Sequence, residues 1–455
     1  MKDAYFEILQ KGFLSKINVI HISMAFLALV SMLPYFTWKH QTLYFCFSAG
    51  AVIVSYFYSK AYNNFDNFNL YSALFFCLFL LYLSCLWTSV HTHKTWYLLI
   101  PSMLVLFNLS ARDKILAMKV FSFLFAISLV PSIIIWLLML MAIPLNFNHL
   151  EANSIFKIQQ NVYYLHYAGS VFQSNTINLL PYGGKLARLV GIYDEPGTVG
   201  TFAALFLTVS CFEIKKKWKN VLILTGGILS FSLAFYLMSL TACCLLKKFK
   251  MMVLLGLTGA LCFVMPYSPL HTRPVPLVQI ENNIKKNYNT EKIDLAKKIN
   301  HYLQVKKVIE YIKQLDNRDS PKMQALFSNY LHGSIGTILF GISSDANSVY
   351  DGFSSTWKII LTNYGLTGFV YLLLFLFLYT FVNAGKLKNK REIYTFLLVF
   401  IINLYQRPFI WIPSYMLIFV GAIAWFSLRE NEAKPNQCRM ALKSDSEEVE
   451  NRIAL

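Results

Sequence analysis

The chain has 455 residues, of which 56% are hydrophobic and only 14% are charged, against about 25% in an ordinary soluble domain. This composition excludes an ordinary soluble globular protein and indicates an integral membrane protein. The formal net charge of +18 lies in short basic loops between apolar runs, so it indicates the positive-inside pattern and not nucleic-acid binding.

The apolar runs predict helices, because in lipid every backbone polar group must find its hydrogen-bond partner within the structure. Many runs reach the roughly 20 residues that a helix needs to cross a bilayer. The predicted spans lie near 17–34, 41–59, 70–90, 96–110, 115–143, 197–214, 251–266, 355–384, 392–410 and 413–428. The predicted fold class is therefore all-α, a polytopic integral membrane protein with about 10–12 transmembrane helices, including a short-helix or re-entrant hairpin.

The hairpin is predicted from charge. Lysines near the start of the chain place the N-terminus in the cytoplasm, and alternation then places KKKWK (215–219) there too. The basic KKFK (247–250) follows an apolar run, 219–246, that is long for one crossing and short for two. A hairpin that returns to its own side keeps both basic loops cytoplasmic, with Gly226, Gly227 and Ser230 as its expected turn.

Two substantial loops are expected on the outer side, at 144–196 and 267–354. In the second loop, apolar residues at helical spacing predict a helical periplasmic cap: Leu295, Ile299, Tyr302, Ile309 and Ile312. Residues 1–430 thus form a single multi-span membrane domain, and 431–455 a disordered cytoplasmic tail.

The first outer loop ends in RLVGIYDEPGTVG, where Pro196 suits the first turn of a helix. The N-terminus of that helix would favour anions, and Arg188 could add a planar fork for phosphate oxygens. Asp194 and Glu195 lie at the same depth, and we expect a raised pKa that lets Glu195 accept a proton. A structural role is the alternative: Glu195 complements the helix dipole, and Arg188 reaches lipid head groups.

A second arginine, Arg407, lies in YQRPFIWIPSY at the outer end of a span. A charged residue within a span costs roughly 2.5–3.5 kcal/mol on insertion scales, so this arginine needs a partner. The alternative is an interfacial anchor flanked by the aromatic residues Tyr405 and Trp411.

Further candidates for binding sugar hydroxyls or phosphates lie in the second loop: Arg273, His332, Asp345 and Asn347. An ordinary loop is the alternative for this segment. The following span contains Gly365 and Gly368, which predict close helix packing. The sequence has no metal-ligand spacing, phosphate-binding loop or nucleophile elbow, so no metal or cofactor is expected.

RLVGIYDEPGTVG followed by an apolar run resembles the RxxG…EP signature of bacterial O-antigen polymerases of the Wzy type. The segments SFSLAFYL, STWKIILTNYGLTGF and RPFIWIP are similar to that family's later motifs in their order and spacing. The resemblance covers about residues 185–428, and the preceding spans match only as generic hydrophobic helices.

The resemblance implies a metal-independent membrane glycosyltransferase of the bacterial inner membrane, and the basic loops predict that both termini are cytoplasmic. It would polymerise undecaprenyl-diphosphate-linked O-antigen repeat units at the periplasmic face. Arg188 and Arg407 would hold diphosphates, and Glu195 would be the base. The implied partners are these lipid-linked oligosaccharides and membrane lipid, with a chain-length regulator as a candidate and no nucleic acid.

Three alternatives stay open. An O-antigen ligase would carry a histidine in the late motif, but SSDANSVYDG has none and His332 lies too early. A transporter or flippase of lipid-linked oligosaccharide would show repeated halves and polar residues at mid-membrane, neither of which is clear. A structural assembly subunit without chemistry predicts that Arg188, Glu195 and Arg407 lie apart and face lipid.

Overall fold

A computed structural model of the protein describes residues 17–38, 41–61, 67–85, 96–152, 157, 162–215, 217–264, 320–343, 346, 356–385 and 390–429. Three of the candidate site residues lie outside these ranges: Arg273, Asp345 and Asn347. The predicted helical pattern at 295–312 and the predicted tail at 431–455 lie outside them as well.

The described chain is mostly helical. Before the first large loop the helices are α1 Val19–Ser31, α2 Gln41–Ala61, α3 Asn67–Cys85, α4 Trp96–Asn108 and α5 Ala111–Leu140. After it come α6 Pro196–Val209, α7 Trp218–Leu229, α8 Leu233–Leu245 and α9 Phe249–Val264. The last group is α10 Pro321–Leu331, α11 Ile335–Phe340, α12 Lys358–Ala384, α13 Arg391–Ile402 and α14 Pro413–Arg429.

Within the described ranges, two helices, α5 and α12, are long and apolar enough to cross a membrane. The shorter apolar helical segments are Val19–Ser31, Leu70–Leu83, Leu99–Asn108, Pro196–Val209, Trp218–Leu229, Leu233–Leu245, Phe249–Cys262 and Pro413–Arg429. Local backbone breaks shorten some predicted spans. The span predicted at 197–214 ends at Val209, because Cys211 and Phe212 adopt left-handed φ angles of 50° and 54° that end a right-handed helix.

The run 219–246 is a helix–turn–helix, as the sequence predicts, made of α7 and α8. The turn lies at residues 230–232, where Phe231 has a φ of 45°. The two candidate turn glycines, Gly226 and Gly227, lie within α7 instead, where a Cβ would come within 2.6 and 2.3 Å of neighbouring side chains. Their role is therefore close helix packing.

The start of α7 and the end of α8 lie at the same end of the helix bundle. The Nε of Arg391, at the start of α13, donates to the carbonyl of Leu245, at the end of α8. At the end of α14, Arg429 pairs with Glu392 at 3.2 Å and with Glu213, just before α7, at 3.9 Å. We call this the basic end, defined by Arg391 and Arg429.

The turn of the hairpin lies at the opposite end, beside the start of α6. A Cβ on Gly200 would lie 2.5 Å from the Cβ of Ser232, so the hairpin tip packs directly on the first turns of α6. The backbone N–H of Ser414 donates to Ser31 Oγ at 3.0 Å, which joins the start of α14 to the end of α1 here. We call this the motif end, defined by the start of α6.

The strictly all-α prediction is wrong for the first loop, which holds five short strands. They are β1 Asn148–Glu151, β2 Tyr163–Tyr167, β3 Ser170–Gln173, β4 Ile177–Leu179 and β5 Lys185–Ala187. The first three form an antiparallel sheet in the order β1-β2-β3, and the last two pair antiparallel. The aromatic run YYLHY favours a strand, and Gly169, with a φ of 74°, closes the two-residue turn that follows it.

Two glycines allow the backbone of the second loop, at the end of α11, to pack closely against α12. Gly365, with a φ of 67°, breaks α12, and a Cβ there would lie 2.3 Å from the carbonyl oxygen of Leu339. Gly341 adopts a φ of 87° directly opposite, where a Cβ would lie 2.4 Å from the carbonyl oxygen of Asn363. The predicted close packing at Gly365 is confirmed, and the contact partner is the end of α11.

Candidate functional site

The site begins at the first turn of α6. Pro196 is its first residue and Glu195 its extended N-cap, with φ −150° and ψ 147°. This is the helix start that the sequence predicts from the proline. Gly197 lets a distant segment approach closely, since a Cβ there would lie 2.6 Å from Gln406 Nε2 and 3.3 Å from Arg407 Nη2.

Arg407 and Glu195 form an ion pair, although they are 212 residues apart in the chain. The Nη2 of Arg407 lies 2.6 Å from Glu195 Oε2 and donates to Thr198 Oγ1 at 2.8 Å. The arginine side chain is 21% exposed and the glutamate side chain 38%. Glu195 is thus the partner that the position of Arg407 requires.

A third charged residue, Lys157, completes the cluster, and no sequence motif predicts it. Its Nζ lies 3.2 Å from Glu195 Oε1, which is the carboxylate oxygen that Arg407 does not contact. The same Nζ donates to the carbonyl of Asp194 at 3.0 Å and to the hydroxyl of Tyr164 on β2 at 2.9 Å. Only 12% of the lysine side chain is exposed. The sequence feature that could have indicated this residue is a charged lysine between two large apolar residues, Phe156 and Ile158.

These contacts decide the sign of the Glu195 pKa. The surrounding protein partly desolvates the carboxylate, which opposes ionisation. The charges of Arg407, Lys157 and Arg188 outweigh this effect and hold the pKa of Glu195 well below its usual range. The prediction of a raised pKa for Glu195 is therefore wrong. That prediction assumed that lipid or a diphosphate surrounds the carboxylate, whereas its neighbours are these cations. In this arrangement Glu195 is an ionised partner and a weak base.

Arg188 lies at the same end of the bundle. Its Nε donates to the carbonyl of Ser230, in the hairpin turn, at 3.1 Å, so it also ties the first loop to the hairpin. Its charge contributes to the lowered pKa of Glu195, which places the two groups within electrostatic reach. Three cations, Arg407, Lys157 and Arg188, therefore act on the Glu195 carboxylate.

Several polar atoms around this cluster have no hydrogen-bond partner among the described residues. They include Arg407 Nε and Gln406 Oε1, both buried. The hydroxyls of Thr201 and Ser232 are likewise buried and unpartnered within the described chain, and both residues are fully enclosed. Buried polar groups are normally satisfied, so unpaired ones near a charged cluster are typical of a site that binds a polar ligand or water.

A small apolar groove lies between α8 and the end of α13. Its walls are mainly aliphatic: Leu233, Ala234, Leu237, Met238 and Ile402, with Tyr405 and Gln406. Because Gln406 both lines the groove and contacts the start of α6, the groove adjoins the charged cluster.

The structure brings together four of the predicted site residues, namely Arg188, Asp194, Glu195 and Arg407. His332 is the exposed C-cap of α10, and its Nδ1 lies 2.8 Å from the carbonyl of Ser328 in its own helix. Among the described residues, no hydrogen bond or ion pair links it to the cluster. The remaining candidates, Arg273, Asp345 and Asn347, lie outside the described ranges.

Together the fold and the site define a mostly helical protein with an ion-pair cluster at one end of its bundle. Comparisons with protein families, curated proteins and solved structures find no match for this chain. The function of the cluster is therefore inferred from its residues and their geometry.

Proposed function

We propose that the protein is a polytopic inner-membrane glycosyltransferase that polymerises undecaprenyl-diphosphate-linked O-antigen repeat units at the periplasmic face. The observation that carries this proposal is the ion-pair cluster of Arg407, Glu195 and Lys157 at the start of α6. It holds donors suited to phosphate oxygens at the motif end, where a lipid carrier would present its diphosphate.

The distribution of charge supports the proposed topology. Three basic loops lie near the basic end. Lys217 of KKKWK (215–219) pairs with Glu213, which in turn pairs with Arg429. KLKNKR (386–391) ends in Arg391, which donates to Leu245 two residues before KKFK (247–250). In a membrane protein such loops remain cytoplasmic, so the motif end would face the periplasm. The turn between the short helices α7 and α8 is buried at Ser230, Phe231 and Ser232, and non-helical backbone at membrane depth is tolerated where it is buried in protein.

Reporter fusions test this topology. A reporter fused after residue 250 is expected to be cytoplasmic, because the hairpin returns the chain to the basic end. A reporter fused after residue 144, in the loop following α5, is expected to be periplasmic and serves as the matched control. A paired alkaline phosphatase and green fluorescent protein assay measures both. A periplasmic signal after residue 250 would contradict the hairpin topology.

The proposed reaction transfers a growing glycan between lipid carriers. An acceptor hydroxyl attacks the anomeric carbon of the donor, and a new glycosidic C–O bond forms. The C–O bond to the diphosphate breaks, and undecaprenyl diphosphate leaves with the electron pair. Arg407, Lys157 and Arg188 would stabilise the negative charge that develops on this leaving group. Glu195 is the proposed acceptor of the hydroxyl proton.

The surroundings of the cluster suit such a substrate. The small apolar groove beside Gln406 presents aliphatic side chains next to the phosphate-binding donors, where an isoprenoid chain would begin. A structural subunit without chemistry predicts that the charged residues lie apart and face lipid. The 2.6 Å contact between Arg407 and Glu195 is the opposite arrangement and disfavours that alternative.

Glycan profiling of a strain lacking the gene tests the proposal. Such a strain is expected to make lipopolysaccharide capped with single repeat units, because ligation continues without polymerisation. A plasmid copy of the gene should restore the ladder of long chains on a gel. Absence of any capped product would instead indicate a ligase or a flippase, and an unchanged ladder would overturn the proposal.

A further inference from the structure

We propose that Arg407 and Lys157 form an anion-binding site that the Glu195 carboxylate occupies reversibly. A phosphate oxygen of the lipid-linked substrate displaces this carboxylate when the substrate binds. The displaced carboxylate then takes the proton of the attacking hydroxyl. This inference rests on the proposed function, because it assigns the substrate diphosphate as the displacing anion.

The first support is the way the carboxylate is held. Its two oxygens are divided between two cations: Oε2 lies 2.6 Å from Arg407 Nη2, and Oε1 lies 3.2 Å from Lys157 Nζ. Phosphate oxygens accept the same charge-assisted hydrogen bonds from the same donors. A carboxylate in this position therefore occupies a place that a phosphate group can take.

The second support is a donor that Glu195 leaves unused. Arg407 Nε is buried and has no hydrogen-bond partner among the described residues. The Nε and Nη2 groups lie on one edge of the guanidinium plane, and Glu195 engages only Nη2. A phosphate bound along this edge uses both donors at once, which is the bidentate geometry that arginine favours.

The third support is charge and access. Two cations, Arg407 and Lys157, contact the single Glu195 carboxylate, so an anion with more charge than a carboxylate is favoured in its place. The Glu195 side chain is 38% exposed, whereas Lys157 is 12% exposed and is held by Tyr164 and the Asp194 carbonyl. The carboxylate thus has room to leave, while the cation that remains is fixed in place.

The exchange would couple substrate binding to proton transfer. While Glu195 is paired with Arg407 and Lys157, these cations keep its pKa low and make it a weak base. Once a diphosphate neutralises them, the pKa of the released carboxylate rises and it becomes able to accept a proton. The base is therefore activated only when a substrate occupies the site.

The test uses inorganic pyrophosphate as the probe and the full chain purified in detergent micelles. Glu195→Gln removes the competing charge, and we expect pyrophosphate to bind about tenfold more tightly than to the wild type by titration calorimetry. Arg407→Ala is expected to weaken binding by about tenfold or more. A thermal unfolding scan checks that each variant is folded, and Glu195→Ala provides a second charge-removing variant.

The matched control is Glu213→Gln at the basic end. Glu213 is 40% exposed and is also held by a lysine and an arginine, Lys217 and Arg429. This variant makes the same change of charge far from the site and should leave the affinity for pyrophosphate unchanged. Equal or weaker binding by both Glu195 variants, or equal tightening by Glu213→Gln, overturns the inference.

The outcomes also separate this inference from the proposed function. Tighter pyrophosphate binding by Glu195→Gln, with an unchanged glycan ladder in the deletion strain, would support the anion-binding site and reject the polymerase. A collapsed ladder in the deletion strain, with no gain in binding by Glu195→Gln, would support the polymerase and reject the exchange.

Discussion

Replacing Arg407 with alanine is expected to lower glycan chain extension by about 100-fold or more, the usual effect of removing a donor that stabilises developing charge. The substitution removes the cation bound to Glu195 at 2.6 Å and the unused Nε donor next to it. Arg407→Lys should recover little activity, because an ammonium group lacks the planar edge that binds two phosphate oxygens. The measurement is the ladder of chain lengths in a deletion strain complemented at matched protein levels.

Arg429→Ala is the matched control for this experiment. Arg429 is also an arginine paired with a carboxylate, Glu392, at 3.2 Å, but it lies at the basic end. Its loss removes an exposed ion pair of the kind that contributes about 1 kcal/mol or less, so the ladder should persist. Long chains of normal length in Arg407→Ala, at normal protein level, would remove Arg407 from the proposed site.

Gly365→Ala is expected to lower the free energy of unfolding by about 3 kcal/mol or more. Gly365 combines a φ of 67° with a ψ of −175°, a region open essentially to glycine alone. The new Cβ would also lie 2.3 Å from the carbonyl oxygen of Leu339 and 2.5 Å from the N atom of Gly341. These are backbone atoms, so α11 would have to separate from α12 to relieve the contact. Thermal unfolding in detergent, followed by circular dichroism, measures the loss.

Gly256→Ala provides the matched control, since it makes the same change inside α9. A Cβ on Gly256 meets nothing within 4 Å, and alanine is the better helix former by about 1 kcal/mol. We therefore expect unchanged or slightly raised stability in this variant. Equal losses at Gly256 and Gly365 would show that the kink and its contact with α11 contribute nothing specific.

The structure also changes how Glu195 is understood. The sequence places this carboxylate beside a helix start, where a base for the acceptor hydroxyl is expected. The ion pairs with Arg407 and Lys157 make it ionised and weakly basic. A role as base then requires that these cations find another anion, which is why substrate binding and proton transfer are linked in the proposed mechanism.

Some predictions succeed because they depend on local chemistry. A proline lacks an N–H and has a fixed φ, so Pro196 predicts the start of α6 from its own properties. The excess of basic residues on both sides of 219–246 predicts a hairpin, and the break between α7 and α8 confirms it. The turn itself lies at 230–232 and not at the glycines, because neighbouring helices use those glycines for packing.

Other features depend on residues that only folding brings together. The strands of the first loop pair across turns, and their stability depends on the partner strand as well as on their own residues. Lys157 carries no motif, and its importance follows from contacts with Tyr164 and Glu195. A pKa depends on the charges that surround a group, so its direction at Glu195 required the positions of three cations.

The sequence by itself determined the helical character of the chain, the basic loops and the motif that begins α6, because hydrophobicity, charge and proline geometry act over a few residues. Only the tertiary structure decided which charges meet. Arg407 and Glu195 are 212 residues apart, and their 2.6 Å contact depends on α13, α14 and the first turn of α6 packing at one end of the bundle. Pairing energies fall steeply with distance, so partners cannot be assigned until that packing is known.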